Sequence, residues 1–244
     1  FGSDDEPVVQ SDVNDISRTP HDYRLANSVE EVTTLASTLA TLKEFCFDTE
    51  TTSLDSLDTE LVAIAFSWEK GKGFLVSFDG TKDDNTKLGL LKPVLESDKS
   101  LKIGHNLKFD IQVLGKYGIE VGGPLFDTML AHYLLEPDMR HKMDYLSEAY
   151  LGYRPVPIES LIGSKGANQK TMRSVPLKDI VEYAVEDADV TWQLYKYFLP
   201  RIEQEGLKEL AEKIEMPLIR VLADIERVGI KLHTDDLKVY ATQL

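Results

Sequence analysis

Apolar positions along the chain follow two rhythms in turn. From residue 28 to 42 they recur at helical spacing, with Val32, Leu35 and Leu39 on one side. Ser28 is placed to cap that helix ahead of Glu30 and Glu31. Three strand-like runs follow, at 45–50, 61–68 and 73–78, and the short turn between the last two predicts antiparallel neighbours. From about residue 85 helices and strands alternate. A helix over about 86–96 leads to a strand at 101–104 and a helix over 106–117 that Gly118 stops. A short strand at 124–126, a helix over 127–135 and a helix over 143–151 come next. Pro176 then opens a long helix to about residue 198, proline being favoured at a first helical position. The pattern predicts an α/β domain with a mixed sheet, an antiparallel hairpin plus strands joined through helices. Residues 1–22 carry Asp4, Asp5, Glu6, Asp12 and Asp15 with few large apolar groups and read as a flexible acidic leader. The domain is expected over 23–200, with no internal repeat.

Charge narrows the chemistry. The 244 residues hold 42 acidic against 27 basic side chains, a formal net charge of −15. Such a chain repels nucleic acid at long range, so action on nucleic acid requires a confined pocket rather than a broad basic face. Cys46 is the single cysteine, which excludes an intrachain disulfide, and its apolar run makes it core. No apolar stretch approaches a membrane span and no secretory signal is visible. The first residue is not Met, so an intracellular fragment or processed chain is expected.

Three fragments carry candidate chemistry. Asp48 and Glu50 end an apolar strand two residues apart, hence on one side of it. Two carboxylates there repel each other and lose hydration unless a cation, most simply a divalent metal ion, compensates; a solvated strand end is the plain alternative. In His105-Asn106-Leu107-Lys108-Phe109-Asp110 a strand end passes into a helix, and Asn106 and Asp110 lie one turn apart. Asn106 as helix cap and Asp110 at the positive helix end would account for both without any site. Tyr183 and Asp187 share one face of the long helix, with Asp187 only partly solvated among Ile180, Ala184 and Trp192. Glu186 and Asp189 fall on other faces and are expected in solvent.

In that order the fragments resemble the 3′–5′ exonucleases that carry four acids and a tyrosine. Phe47 to Leu54, His105 to Asp110 and Tyr183 to Thr191 resemble the proofreading domain of bacterial DNA polymerase I. So do Phe126-Asp127-Thr128-Met129-Leu130 and Gly163-Ser164-Lys165-Gly166-Ala167-Asn168-Gln169. The resemblance runs from about residue 24 to the end. Glu215 to Ile219 and Ile225 to Ile230 are similar to the opening of that family's polymerase domain, so 201–244 is expected to be its truncated helical start, without synthetic activity.

The resemblance implies a ribonuclease H-like fold and two divalent ions, Mg²⁺ or Mn²⁺, with Zn²⁺ admissible at the tighter site. Asp48 would bridge both ions, Glu50 and Asp187 would complete the tighter site, and Asp110 would hold the second mainly through water. Such ions, about 4 Å apart, stabilise the attacking and leaving oxygens of an in-line displacement. Tyr183 would orient the attacking water rather than serve as a strong base, since a free phenol has a pKa of about 10. The implied substrate is a single-stranded or frayed DNA 3′ end, and the product a 5′-nucleoside monophosphate. Leu54 matches a residue that wedges against terminal bases; ordinary core is its alternative. His105 and Asn106 match cleft positions, although the family often has Gln where His105 stands. Arg140 matches a basic residue near the scissile phosphate, or is a solvated loop charge. Between residues 160 and 178, Lys165, Lys170, Arg173 and Lys178 occur without an acid and would guide a phosphate backbone or lie on a mobile loop. The implied partners are the DNA 3′ end and the polymerase domain of the same protein, in the bacterial cytoplasm at the nucleoid, with no membrane. A ribonuclease D-like RNA exonuclease and a catalytically weak structural module are the rival readings, and the presence of all four acids and Tyr183 speaks against the second.

Overall fold

Six strands form one mixed sheet in this computed structural model, which describes residues 13–166 and 168–243. They are β1 (Asp22–Leu25), β2 (Glu44–Thr51), β3 (Leu61–Glu69), β4 (Lys72–Ser77), β5 (Leu101–Gly104) and β6 (Leu125–Asp127), in the order β1-β4-β3-β2-β5-β6. The predicted hairpin is there: β3 pairs antiparallel with both β2 and β4. β5 lies parallel to β2 and to β6; α2 leads from β4 into β5, and α3 joins β5 to β6. β1, parallel to β4, is the strand that the hydrophobic pattern did not separate from the leader; four residues are too short a run to show a period.

Among the described residues ten α-helices accompany the sheet: α1 (Val29–Leu39), α2 (Lys82–Leu95), α3 (Leu107–Lys116), α4 (Thr128–Leu135), α5 (Met143–Leu146), α6 (Glu159–Ile162), α7 (Leu177–Gln204), α8 (Lys208–Leu210), α9 (Met216–Val228) and α10 (Thr234–Ala241). Ser28 caps α1 as expected, in a reciprocal capping box with Glu31. The expected 143–151 helix is α5 followed by a π-helical turn over Ser147–Leu151. No helix among the described residues is long and apolar enough to cross a membrane.

The first twelve residues of the expected leader lie outside the described residues. The rest of it is held. The backbone of Asn14 bridges Tyr153 and accepts from Arg154 N at 2.8 Å, and Asp15 caps a short turn over Ile16–Arg18. Backbone hydrogen bonds to a distant segment thus replace solvation at Asn14.

α7 crosses β2, β3 and β4 and closes one face of the sheet. Its close approach depends on Gly73, where a Cβ would stand 2.4 Å from Val185 Cγ1 and 2.6 Å from Phe66 O. Phe74, next along β4, points to the opposite face, where it stacks on Trp68 and lines a cavity together with residues of α1. Strand register then fixes where the two acids of β2 go. Asp48 sits opposite Ala65, which sits opposite Leu75; Glu50 sits opposite Ala63, which sits opposite Ser77. Cross-strand partners share a face, so Asp48 and Glu50 project on the Gly73 side, beneath α7, with alanines as their partners on β3.

Two expectations about α7 are corrected. Glu186 and Asp189, expected in solvent, are 0% and 3% exposed. Glu186 accepts from the Tyr153 hydroxyl and from Val156 N. Asp189 accepts from Tyr23 Oη at 2.8 Å, Gly71 N at 2.9 Å and Gln193 Nε2 at 3.1 Å. The segments that carry Tyr153 and Tyr23 cover the faces of α7 that helical periodicity alone leaves open.

The C-terminal helices continue against the domain. α9 packs on α3 and β6, burying Met216, Ile219 and Ala223. Arg220 donates to Val121 O at 3.0 Å and Gly123 O at 2.6 Å.

Candidate active site

Asp48 and Glu50 from β2 meet Asp187 from α7, and one oxygen from each lies within 4.8 Å of the others. Glu50 and Asp187 are buried and Asp48 is half-buried. Burial, before any neighbour, pushes all three carboxyls up: Asp48 to about 6, Glu50 and Asp187 well above the ordinary range, the last two also through repulsion by the other acids. Asp187 Oδ1 is buried and accepts no hydrogen bond. A buried carboxylate oxygen without a donor costs about 1–3 kcal/mol or more. Three converging carboxylates, one of them with an orphaned oxygen, fit a divalent cation.

Tyr183 lies one turn before Asp187 on α7 and is half-buried beside the acids. Burial, then the charges of Asp187, Glu50 and Asp48, drive its phenol far up. The hydroxyl is therefore a neutral group throughout the physiological range, able to donate one hydrogen bond and accept others.

Asp110 is buried but stands apart from the group of three. Its Oδ1 accepts from Thr49 N at 3.0 Å and from Thr49 Oγ1 at 2.5 Å. Burial first and then Asp48 push this carboxyl well up, against the lowering effect of the Thr49 bonds. Thr49, the residue between the two acids of β2, was invisible as a site residue in the sequence: its role needs α3 to arrive beside β2.

Asn106 does not cap α3 with its side chain, contrary to the simple expectation. It adopts a left-handed backbone conformation, φ 66°. The cap is Asp127, buried at the end of β6, which accepts from Asn106 N at 3.2 Å and Leu107 N at 2.7 Å. The same carboxylate caps its own helix α4 through Met129 N at 2.8 Å and Leu130 N at 3.3 Å. The sequence marks Asp127 as a helix start; that it serves two helices follows from β5 lying next to β6.

Leu54 is 88% exposed in the loop after β2, which overturns the core alternative for it. His105 is half-buried, its Nδ1 2.9 Å from Thr128 Oγ1, and burial lowers its pKa to about 4, so it is neutral. Arg140 is exposed between α4 and α5. Of the basic stretch, Lys165, Lys170 and Lys178 are exposed. Arg173 is committed to structure instead, donating to Phe78 O, Leu61 O and Glu60.

A family described as 3′–5′ exonuclease matches residues 23–203. DNA polymerase I of Pseudomonas aeruginosa is 37% identical over 209 residues, 81% of this chain and 23% of that protein. DNA polymerase I of Borreliella burgdorferi is 31% identical over 239 residues, 96% of this chain and 26% of that protein. The chain thus spans about a quarter of the length of these relatives. Among solved structures, the POL domain of Pol1 from M. smegmatis, in complex with DNA primer-template and dNTP, superposes with a TM-score of 0.72 at 20% identity, over 90% of this chain and 34% of that one. Brucella melitensis NrnC with bound Mg²⁺ gives 0.67 at 19% identity, over 88% of this chain and 100% of that one, and shares the ribonuclease H-like fold.

Proposed function

The chain belongs to the 3′–5′ exonuclease family, which covers its residues 23–203, and from that premise we propose that it shortens single-stranded or frayed DNA 3′ ends, releasing 5′-nucleoside monophosphates as the proofreading part of a DNA polymerase I. The observation that carries the reading is the meeting of Asp48, Glu50 and Asp187 within 4.8 Å, with Asp187 Oδ1 lacking any partner.

Asp48, Glu50 and Asp187 would hold the tighter of two divalent ions, Mg²⁺ or Mn²⁺, and Asp48 and Asp110 would serve the second, Asp110 through water. Bound there, the ions supply Lewis-acid stabilisation of the attacking and leaving oxygens. The neutral Tyr183 hydroxyl orients the attacking water beside Asp187. Leu54, exposed at the cleft loop, presses against the terminal base. His105 and Asn106 line the cleft, and Arg140 meets a backbone phosphate. Residues 201–244 would begin the polymerase domain, and a bacterial cytoplasmic, nucleoid-associated setting goes with this role.

The test is digestion of a 5′-labelled single-stranded DNA oligonucleotide with Mg²⁺ or Mn²⁺, with chelator, and with the double variant Asp48→Ala, Glu50→Ala. A metal-dependent ladder shortening from the 3′ end and absent in the variant is expected. An RNA oligonucleotide cut in preference to DNA would move the reading to an RNA exonuclease. No ladder with any ion would leave a structural module.

A further inference from the structure

Thr49 occupies the position between the two acids of β2, and its surroundings give it a task of its own. The pairing of β2 with β5 ends at Cys46 opposite Ile103. Beyond that point this edge of β2 has no strand neighbour, and the first turn of α3 takes the place of one. Asp110 Oδ1 there receives both donors of Thr49, the backbone N–H at 3.0 Å and the hydroxyl at 2.5 Å. Two donors on one oxygen fix both the position and the rotation of the carboxylate. Oδ2 accepts from none of the described residues, so it is the oxygen left for other work.

Strand alternation puts the Thr49 side chain on the face away from Asp48 and Glu50. Its hydroxyl therefore reaches Asp110 from the side opposite the two acids of β2. A β-branched side chain in a strand is stiff about χ1, which suits a fixed donor.

We propose that Thr49 is a positioning residue that locks Asp110 to β2, so that the strand carrying Asp48 and Glu50 also sets the fourth acid at the distance the second divalent ion requires. This rests on the exonuclease reading above.

The test compares the 244-residue chain with Thr49→Val, which removes the hydroxyl and keeps the N–H, and with Thr49→Ser, which keeps both. Mn²⁺ binding is measured by titration calorimetry, and hydrolysis of single-stranded DNA is followed against Mn²⁺ concentration. In Thr49→Val the weaker Mn²⁺ site should lose affinity about tenfold, the size usual for a partner of a metal ligand. The tighter site should be unchanged, and kcat should fall with little change in KM. Thr49→Ser should stay within about twofold of the parent, and Thr49→Val should add nothing in an Asp110→Asn background, as expected of one coupled unit. Thr49→Ala serves the same purpose should the valine variant not fold. Parental Mn²⁺ binding and kcat in the valine or alanine variant would overturn the assignment while leaving the exonuclease reading intact. An inactive parent that binds no Mn²⁺ would instead defeat that reading.

Discussion

Asp187 on α7 and Asp48 on β2 bring carboxylate oxygens within 4.8 Å of each other and of Glu50, and Asp187 Oδ1 finds no donor in return. Like charges held this way oppose folding and favour a cation. The pKa shifts give the sign. Asp48 is raised to about 6, and Glu50 and Asp187 well above their ordinary values. The folded state thus keeps protons that the unfolded chain, with carboxyls near a pKa of about 4, has already lost. Their contribution to stability falls as pH rises from about 4 through the folded values. In chelator, Asp187→Asn should therefore raise Tm at pH 8 and change it little near pH 4. Adding Mg²⁺ or Mn²⁺ at pH 8 should stabilise the parent, by about 2.7 kcal/mol at a hundred times Kd, and not the variant. Melting curves at the two pH values decide this.

Tyr183→Phe keeps the half-buried ring and removes the hydroxyl. If that hydroxyl orients the attacking water, kcat should drop about 10- to 100-fold, the cost of a misplaced reactant, with KM and Mn²⁺ affinity unchanged. The phenol is held neutral by burial and by the acids around it. No limb of the parent's pH–rate profile between 6 and 9 should therefore vanish in the variant, and a limb that does vanish would make Tyr183 a titrating base.

Asp189 differs from Asp187 although only one residue separates them. It accepts from Tyr23, Gly71 and Gln193, tying β1 and the β3–β4 turn to α7. Asp189→Ala strands buried donors and should cost about 1–3 kcal/mol in urea unfolding. Below the melting temperature its kcat should match the parent, whereas Asp187→Ala should abolish activity.

Leu54→Ala should separate binding from folding in the other direction. With 88% of its surface exposed, Leu54 adds little to the core, and the change should alter stability by no more than about 0.5 kcal/mol. As a wedge against the terminal base it should instead raise KM for a frayed duplex more than for single-stranded DNA. Equal KM values for both substrates in parent and variant would remove it from the site.

The pairings legible in the sequence are those set by backbone period. Asp48 and Glu50 share a side because strand residues alternate, and Tyr183 and Asp187 share one because four residues make about one helical turn. These periods do not depend on what the element packs against, so the sequence by itself determined both pairs, the central hairpin and the long helix. What it could not determine is what covers each face. Glu186 and Asp189 look solvated on a helical wheel and are buried because Tyr153 and Tyr23 arrive from distant segments. Asn106 looks like a cap and is displaced from that role by Asp127. The family resemblance alone offers Asp110 as a site acid, and its hold on Thr49 exists only because β5 ends before β2 does and α3 fills the edge. Register across β2, β3 and β4, with Gly73 admitting α7, is what turned two local pairs into one cluster. Those contacts join residues far apart in the chain, where no local period carries information, and tertiary packing alone decided them.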